Sequence, residues 1–314
     1  MRFPEKIFVY EFITGGGVAG EPLPDPLLTE GDVMLRALLQ DLGKIPGLSL
    51  LTLRDTRLGG LPGALLCLPV DSADSAEQGW LRAMDWADAV WPIAPETDGV
   101  LYALSTRIQD SDRVLLGSRP EAVAIAASKL ETSYALENAG VPVVATRPLV
   151  EGLPPASGGW VIKPDDGAGS EEIHYVSPAE TLAARVLPGG YDWVLQPYVE
   201  GTSLSLSVLY DGQSARVLSC NEQHIENGNG RLRLVHVETQ SGHWRTEDFS
   251  GLAGRVCAVI PGLRGYVGID LQMTAQGPVV IEVNPRLTTA YAGLSEHLGM
   301  NVAELILSAG GWEH

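Results

Sequence analysis

Between Lys6 and Ala94 the chain repeats one pattern, and that repeat restricts the fold more than any other feature. The apolar run KIFVYEFI is followed by an amphipathic stretch, TEGDVMLRALLQDLGK; then come LSLLTLRD, the shorter GALLCLPV, a second amphipathic stretch around EQGWLRAMDWA, and ADAVWPIA. Strands that alternate with helices build a parallel sheet with helices on its faces. In the first helix Thr29 is the expected N-cap, Asp32 occupies the capping-box position and Gly43 lies near the end. We therefore expect an α/β parallel-sheet domain over residues 1–117. The stretch LGSRPEAVAIAASKLETSYALENAGVPVVAT then predicts two helices, with Ser118 as a cap, Pro120 in the first turn, and Gly140 and Pro142 as stops.

From Trp160 the pattern changes to hairpins: GWVIKPDDGAGSEEIHYV, then DWVLQPYVEGTSLSLSVLYDGQSARVLSC. The second half is therefore expected to be α+β with an antiparallel sheet. At 314 residues, 45% hydrophobic and 19% charged, the chain is long and apolar enough for two or three cores and is not of the disordered class. Its 21 basic and 39 acidic residues give a net charge of -18. No Lys/Arg-rich stripe is present to neutralise phosphates, which argues against nucleic acid and an anionic membrane surface as partners. An anionic ligand must be drawn in by local groups and a metal, because the overall field repels it. Cys67, Cys220 and Cys257 are odd in number and widely spaced, and read as reduced thiols. No apolar run approaches the length of a membrane span and MRFPEK lacks a signal-peptide core, so the expected location is cytoplasmic.

Chemistry concentrates in a few short stretches. Residues 15–20, GGGVAG, match the dinucleotide fingerprint, but EPLPDPLL follows where a helix should open on the glycines. That context argues against a pyrophosphate cradle. In VIKPDDGAGS, Lys163 stands beside a loop containing Gly167 and Gly169, a combination that suits a phosphate chain but also an ordinary hairpin turn. Lys129 is a second candidate cation. In VLQPYVEGTS, Pro197 interrupts a strand and leaves neighbouring backbone groups of Gln196 to Glu200 to bond elsewhere, as an adenine edge requires.

The most informative stretch is YVGIDLQMTAQGPVVIEVNPR, which reads as a hairpin. Glu282, Asn284 and Arg286 share one face of the second strand, and Asp270 on the first is expected to face Glu282. Like charges held opposite each other destabilise a sheet unless a cation lies between them. A hard divalent ion with oxygen ligands is the natural remedy. A plain amphipathic edge strand remains the alternative.

The order of these elements resembles the ATP-grasp family over about residues 118–295, after an α/β domain of the kind those enzymes carry. The resemblance implies ATP-grasp α+β subdomains at 118–195 and 196–314, the latter bearing the metal site. It implies ATP and Mg2+ as cofactors, with Mn2+ as the alternative ion. Lys129 and Lys163 would lie on the phosphates, with the loop of Gly167, Ala168 and Gly169 closing over them. Gln196, Pro197, Tyr198 and Val199 would hold adenine, Glu200 ribose, and Asp270, Glu282 and Asn284 the metal. Lys163 and Arg286 would be catalytic, in a ligase that joins a small-molecule carboxylic acid to an amine through an acyl phosphate and releases ADP. Many members carry another acid just after the Glu-Gly, where this chain has Thr202 and Ser203. EFITGGG, IAPETDG and NPRLTTAYAGL are similar to the members that join tyramine to glutamate in methanofuran and methylofuran assembly. In that likeness Glu11, Glu96 and Asn221 to Ile225 are candidates for the acceptor pocket. Two other classes stay open: a nucleotide-dependent oxidoreductase using GGGVAG, and a non-catalytic ATP-binding module. Whether copies assemble into a homo-oligomer is not readable from the sequence.

Overall fold

The computed structural model describes residues 4–63, 65–149, 157–167, 172–180, 187–239 and 243–309. The N-terminal part is a five-stranded parallel sheet in the order β3-β2-β1-β4-β5, made of β1 (Lys6–Glu11), β2 (Ser49–Asp55), β3 (Leu66–Val70), β4 (Ala89–Ile93) and β5 (Val114–Leu115). The chain runs outward from β1 to β3 and then returns to place β4 on the other side of β1. In such sheets ligands bind at the carboxyl ends of the strands where the order reverses, here β1 and β4.

Helices α1 (Asp25–Leu42), α2 (Ala73–Trp86) and α3 (Val100–Gln109) accompany this sheet. Residues Leu35, Leu38 and Leu42 of α1 pack on Ile7, Val9 and Ile93, all fully buried. On the opposite face Phe8, Leu53 and Trp80 meet in a second core. The alternation along β1 sends Ile7 and Val9 to one core and Phe8 and Tyr10 to the other.

Two caps differ from expectation. Helix α1 starts at Asp25, inside the proline-rich stretch, so Thr29 lies within the helix and bonds back from its Oγ1 to the Asp25 carbonyl at 2.9 Å. Pro26 is tolerated because the first-turn N–H has no helical partner in any case. Ser118 does not cap α4 (Pro120–Ala127), whose N-cap is Arg119. Instead its hydroxyl bonds the backbone of Arg264 in both directions at 3.3 Å, tying the approach to the helix to the residue just before a distant strand, Gly265–Thr274. The pattern also gave no forewarning of α3 or of α6 (Thr246–Val259), where Gly251 and Gly254 dilute the apolar period.

The second sheet has nine strands, in the order β14-β13-β10-β11-β12-β8-β7-β9-β6, and all its pairs are antiparallel. Its strands are β6 (Arg147–Pro148), β7 (Trp160–Pro164), β8 (His174–Val176), β9 (Trp193–Pro197), β10 (Thr202–Tyr210), β11 (Ala215–Gly228), β12 (Arg231–Glu238), β13 (Gly265–Thr274) and β14 (Gly277–Asn284). Residues of α4, α5 (Lys129–Asn138) and α6 pack on β10, β13 and β14 around Leu206, Phe249 and Ile269. The last helices, α7 (Leu294–Leu298) and α8 (Val302–Ser308), return to the first sheet, where Val302 and Ile306 enter the core of α1 and β1. Tyr291 Oη donates to Asp41 Oδ2 at 2.9 Å and Asn301 Nδ2 to the Asp41 carbonyl at 2.7 Å, which locks this return in place. Among the described residues no helix is long and apolar enough to cross a membrane.

Candidate active site

The hairpin of β13 and β14 forms in the expected register: Asp270 pairs with Glu282 and Gly268 with Asn284. A bulge follows Asp270, which turns the strand locally and re-aims the side chains beside it. Asp270 accepts from Asn284 Nδ2 at 3.3 Å and from Gln223 Nε2 of β11 at 3.1 Å. Gly268 is needed for this closeness, since a Cβ there would stand 2.6 Å from Thr288 and 3.3 Å from Asn284.

Two lysines face the acids. Lys163 Nζ, on β7, lies 3.6 Å from Glu282 Oε2, and Lys129 Nζ, at the start of α5, lies 3.8 Å from the same oxygen. Burial, reinforced by Lys129 and opposed by Glu282, pushes the Lys163 ammonium down to about 8. Burial, reinforced by the neighbouring Glu282, holds the Asp270 carboxyl well above the usual range. Burial also acts to raise Glu282, but the fields of Lys129 and Lys163 outweigh it and hold that carboxyl below its ordinary value.

Lys163, Asp270 and Glu282 line a cleft of about 640 Å³, within the size range of small-molecule sites. Val144, Val161, Leu271 and Ile281 give it apolar surface, Thr202, Ser203, Gln223 and Gln272 polar surface, and Lys163, Glu222, Asp270 and Glu282 charge. Gln196, Pro197, Tyr198 and Val199 also line it. Their backbone does not behave wholly as anticipated. Pro197 still pairs with Trp160 in the ladder, and the Tyr198 N–H is committed to the Gly159 carbonyl at 2.9 Å. The Gln196 side chain is buried and donates to Thr146 Oγ1 at 2.8 Å. Glu200 is exposed and stands outside the lining.

Lys129 does not line the cleft. Its ammonium donates to the carbonyls of Gly167 at 2.8 Å and Asp165 at 3.1 Å, so it anchors the base of the glycine loop. Ala168 and Gly169 lie outside the described residues. The loop base is also held by the N-terminal part: Thr97 Oγ1 donates to the Asp166 carbonyl at 3.1 Å and the Asp98 N–H to Asp166 Oδ2 at 3.0 Å. Arg286 lies beyond β14, where its Nη2 donates to Glu96 Oε2 at 2.6 Å. Gln223 and His224, expected near an acceptor, line the same cleft as Lys163, whereas Asn221 is fully buried. Glu11 is buried beneath α1, accepting from the Thr14 N–H at 2.6 Å, and burial raises it to about 7. None of these cross-chain partnerships has a local sequence signal.

The donor set suits magnesium. Among the described residues no three His, Cys, Asp or Glu side chains converge as a cage; two carboxylates stand in register, and the Asn284 carboxamide meets Asp270 through its Nδ2. Mg2+ characteristically takes few protein oxygens and completes its shell with water and phosphate. The glycine triplet, by contrast, spends its N–H groups on its own turn: Gly15 bonds Glu11 and Gly17 bonds Phe12. Cys220 is a buried thiol pushed up to about 12, as a structural cysteine would be.

Comparison with known proteins places these features in a family. Residues 126–290 match the family described as an ATP-grasp domain, and residues 48–123 the one described as a pre ATP-grasp 3 domain. Among curated proteins the chain is similar to the tyramine–L-glutamate ligase of Methanocaldococcus jannaschii, 28% identical over 215 residues, covering 68% of this chain and 60% of the relative. The enzyme of the same name from Methanocaldococcus fervens is 27% identical over 220 residues, covering 70% and 65%. The match thus spans less than two thirds of these relatives' length. Among solved structures, an ATP-grasp superfamily protein from Archaeoglobus fulgidus superposes with a TM-score of 0.75 at 28% identity, over 98% of this chain and 89% of that one. An L-amino acid ligase from Bacillus licheniformis has a TM-score of 0.68 at 14% identity, over 98% and 74%, and shares the fold.

Proposed function

Because the chain belongs to the ATP-grasp family, we propose that it is an ATP- and Mg2+-dependent ligase that joins a carboxylate to an amine and releases ADP and phosphate. One observation carries the reading: Asp270, to which Asn284 is bonded, and Glu282 face Lys163 in a cleft of small-molecule size.

A carboxylate is a poor electrophile, so direct amide formation in water is uphill. In the proposed route a carboxylate oxygen attacks the γ-phosphorus of ATP, the bond to the ADP oxygen breaks, and an acyl phosphate results. The amine nitrogen then attacks the acyl carbon, phosphate leaves with the C–O bonding pair, and the nitrogen loses a proton. The protein's part is positioning and charge neutralisation. Val161, Leu271 and Ile281 receive the adenine between apolar walls, near the Gln196 to Val199 segment. Lys163 attracts the phosphates. Asp270, Glu282 and Asn284 would hold Mg2+, which when bound supplies positive charge at the phosphate oxygens. Lys129 acts behind them, holding the loop base in register through Asp165 and Gly167. Arg286, oriented by Glu96 and the Leu287 carbonyl, would lie beside the transferred group.

The relatives' names make glutamate the first acid and tyramine the first amine to try. A screen of acids and amines for stimulated ADP release tests the proposal. Release is expected only with both partners and Mg2+, and is lost in Lys163→Ala and Glu282→Ala. Formation of AMP and pyrophosphate, or release indifferent to the acid, would rule the route out.

A further inference from the structure

Gln196 lines the cleft with a carboxamide, one end of which donates while the other accepts. Which end a ligand meets is decided behind it. The register that pairs Arg147 with Leu195 continues to Thr146 and Gln196, and on its other side Gln196 pairs with Val161 of β7, two residues before Lys163. Gln196 Nε2 donates to Thr146 Oγ1 at 2.8 Å, and Thr146 Oγ1 donates in turn to the Val144 carbonyl at 3.1 Å. A hydroxyl has one proton and two lone pairs. With its proton on Val144, Thr146 offers Gln196 an acceptor, and only the amide nitrogen can use it.

The seat of this hydroxyl is fixed from α5. The Thr146 N–H donates to Ser133 Oγ at 3.0 Å, and Ser133 Oγ donates to the same Val144 carbonyl at 3.2 Å. Thr146 and Ser133 are buried, and Thr146 does not line the cleft. Gln196 is itself only 3% exposed. Its Oε1 makes no hydrogen bond to a described residue, yet it is not among the orphaned side-chain atoms sealed from solvent. The open side of the residue is the cleft. An almost buried side chain thus presents one acceptor where a ligand would lie, and acceptors in such places are almost always satisfied. Turning the amide over would require Thr146 to withdraw its proton from Val144.

We propose that Thr146 sets the choice of nucleotide base: it holds the Gln196 carboxamide with Oε1 toward the cleft, where that oxygen accepts an N–H from the exocyclic amino group of a 6-aminopurine. A 6-oxopurine is rejected, because its oxygen and the Gln196 oxygen both accept and neither donates. Thr146 touches no ligand and is a positioning residue. The inference rests on the ATP-dependent reading above and names the residue that fixes the polarity of base recognition.

The test uses the full chain with Mg2+ and titrates it calorimetrically with ADP and with IDP, whose base carries a 6-oxo group in place of the 6-amino group. Neither nucleotide turns over, so the readout is affinity alone. The unaltered protein should bind ADP about thirtyfold more tightly than IDP. Thr146→Val keeps the shape but removes the hydroxyl, which frees the amide to turn either end to the cleft. The ratio should then fall by about tenfold. Thr146→Ala should behave alike, and serves if the valine variant does not fold. Thr146→Ser, which restores the hydroxyl, should keep the ratio. A carboxylate has no donor end, so in a Gln196→Glu background Thr146→Val should leave the ratio unchanged. Equal weakening of ADP and IDP by Thr146→Val, or the same loss in Thr146→Ser, would overturn the inference, because Thr146 would then act through packing. Equal binding of ADP and IDP by the unaltered protein would also overturn it. Failure of the ligase reading is distinguishable: a protein that prefers ADP to IDP but releases no ADP from ATP with any acid and amine would sink that reading alone, whereas binding of neither nucleotide would sink both.

Discussion

Lys163 sets the alkaline side of the site's pH dependence. Its ammonium is pushed down to about 8 by burial, and phosphate oxygens would hold its proton more tightly. Below about pH 8 both free and bound protein carry the charge, so Lys163 contributes no slope there, and any dependence near pH 7 comes from Asp270. Above that value the free protein loses the proton first, so affinity should fall by up to about tenfold, or about 1.4 kcal/mol, per pH unit. Calorimetric titration with a non-hydrolysable ATP analogue across that range measures the slope, and Lys163→Arg, which stays protonated, should flatten it. A pair of glycines gives a purely structural test. A Cβ on Gly31 would meet the Glu11 carboxylate at 2.5 Å, whereas one on Gly251 of α6 meets nothing within 4 Å. Gly31→Ala should cost about 1–3 kcal/mol. Gly251→Ala should add about 0.4–1 kcal/mol by restricting the unfolded chain. Chemical denaturation of both variants checks the contrast.

At the level of elements, the β13–β14 hairpin holds two carboxyls in direct register, a strained arrangement without a cation between them. The native state keeps a proton on Asp270 that the unfolded chain gives up at lower pH, so Asp270 costs stability as pH rises from the ordinary aspartate range toward its raised native value. Asp270→Asn should therefore stabilise the metal-free protein at neutral pH by about 1 kcal/mol, while turnover falls by about a hundredfold or more. Denaturant midpoints and ADP-release rates on the same preparation measure both. This hairpin was also the most legible element, because the polar face of Glu282 and Asn284 interrupts an apolar run and Asp270 lies at hairpin distance. The alternation of strands and helices similarly revealed the parallel sheet. What stayed hidden was set by partners far away in the chain. Arg286 meets Glu96 across 190 residues, Ser118 bonds Arg264 rather than capping its own helix, and Tyr198 spends its N–H on Gly159. Local pattern cannot display such choices, since each residue type fits its local role equally well.

Across the whole molecule, the two sheets are coupled by more than adjacency. Helix α8 completes the core under α1, Asp41 receives Tyr291, Ser295 and Asn301, and Asp166 is held by the loop of Thr97 and Asp98. The Glu96–Arg286 pair and the base of the glycine loop are thus parts of one connected frame. Asp41→Ala leaves the Tyr291 hydroxyl without its acceptor and should lower stability by about 2–4 kcal/mol, read as a lower midpoint of thermal unfolding. The central claim is chemical: the cleft activates a carboxylate by phosphorylating it. The direct measurement supplies the acid with 18O in its carboxylate, together with ATP, Mg2+ and the amine, and analyses the released phosphate by mass spectrometry. The account predicts one labelled oxygen in inorganic phosphate for each amide formed, alongside ADP. Phosphate without label, or label appearing in AMP, would contradict it.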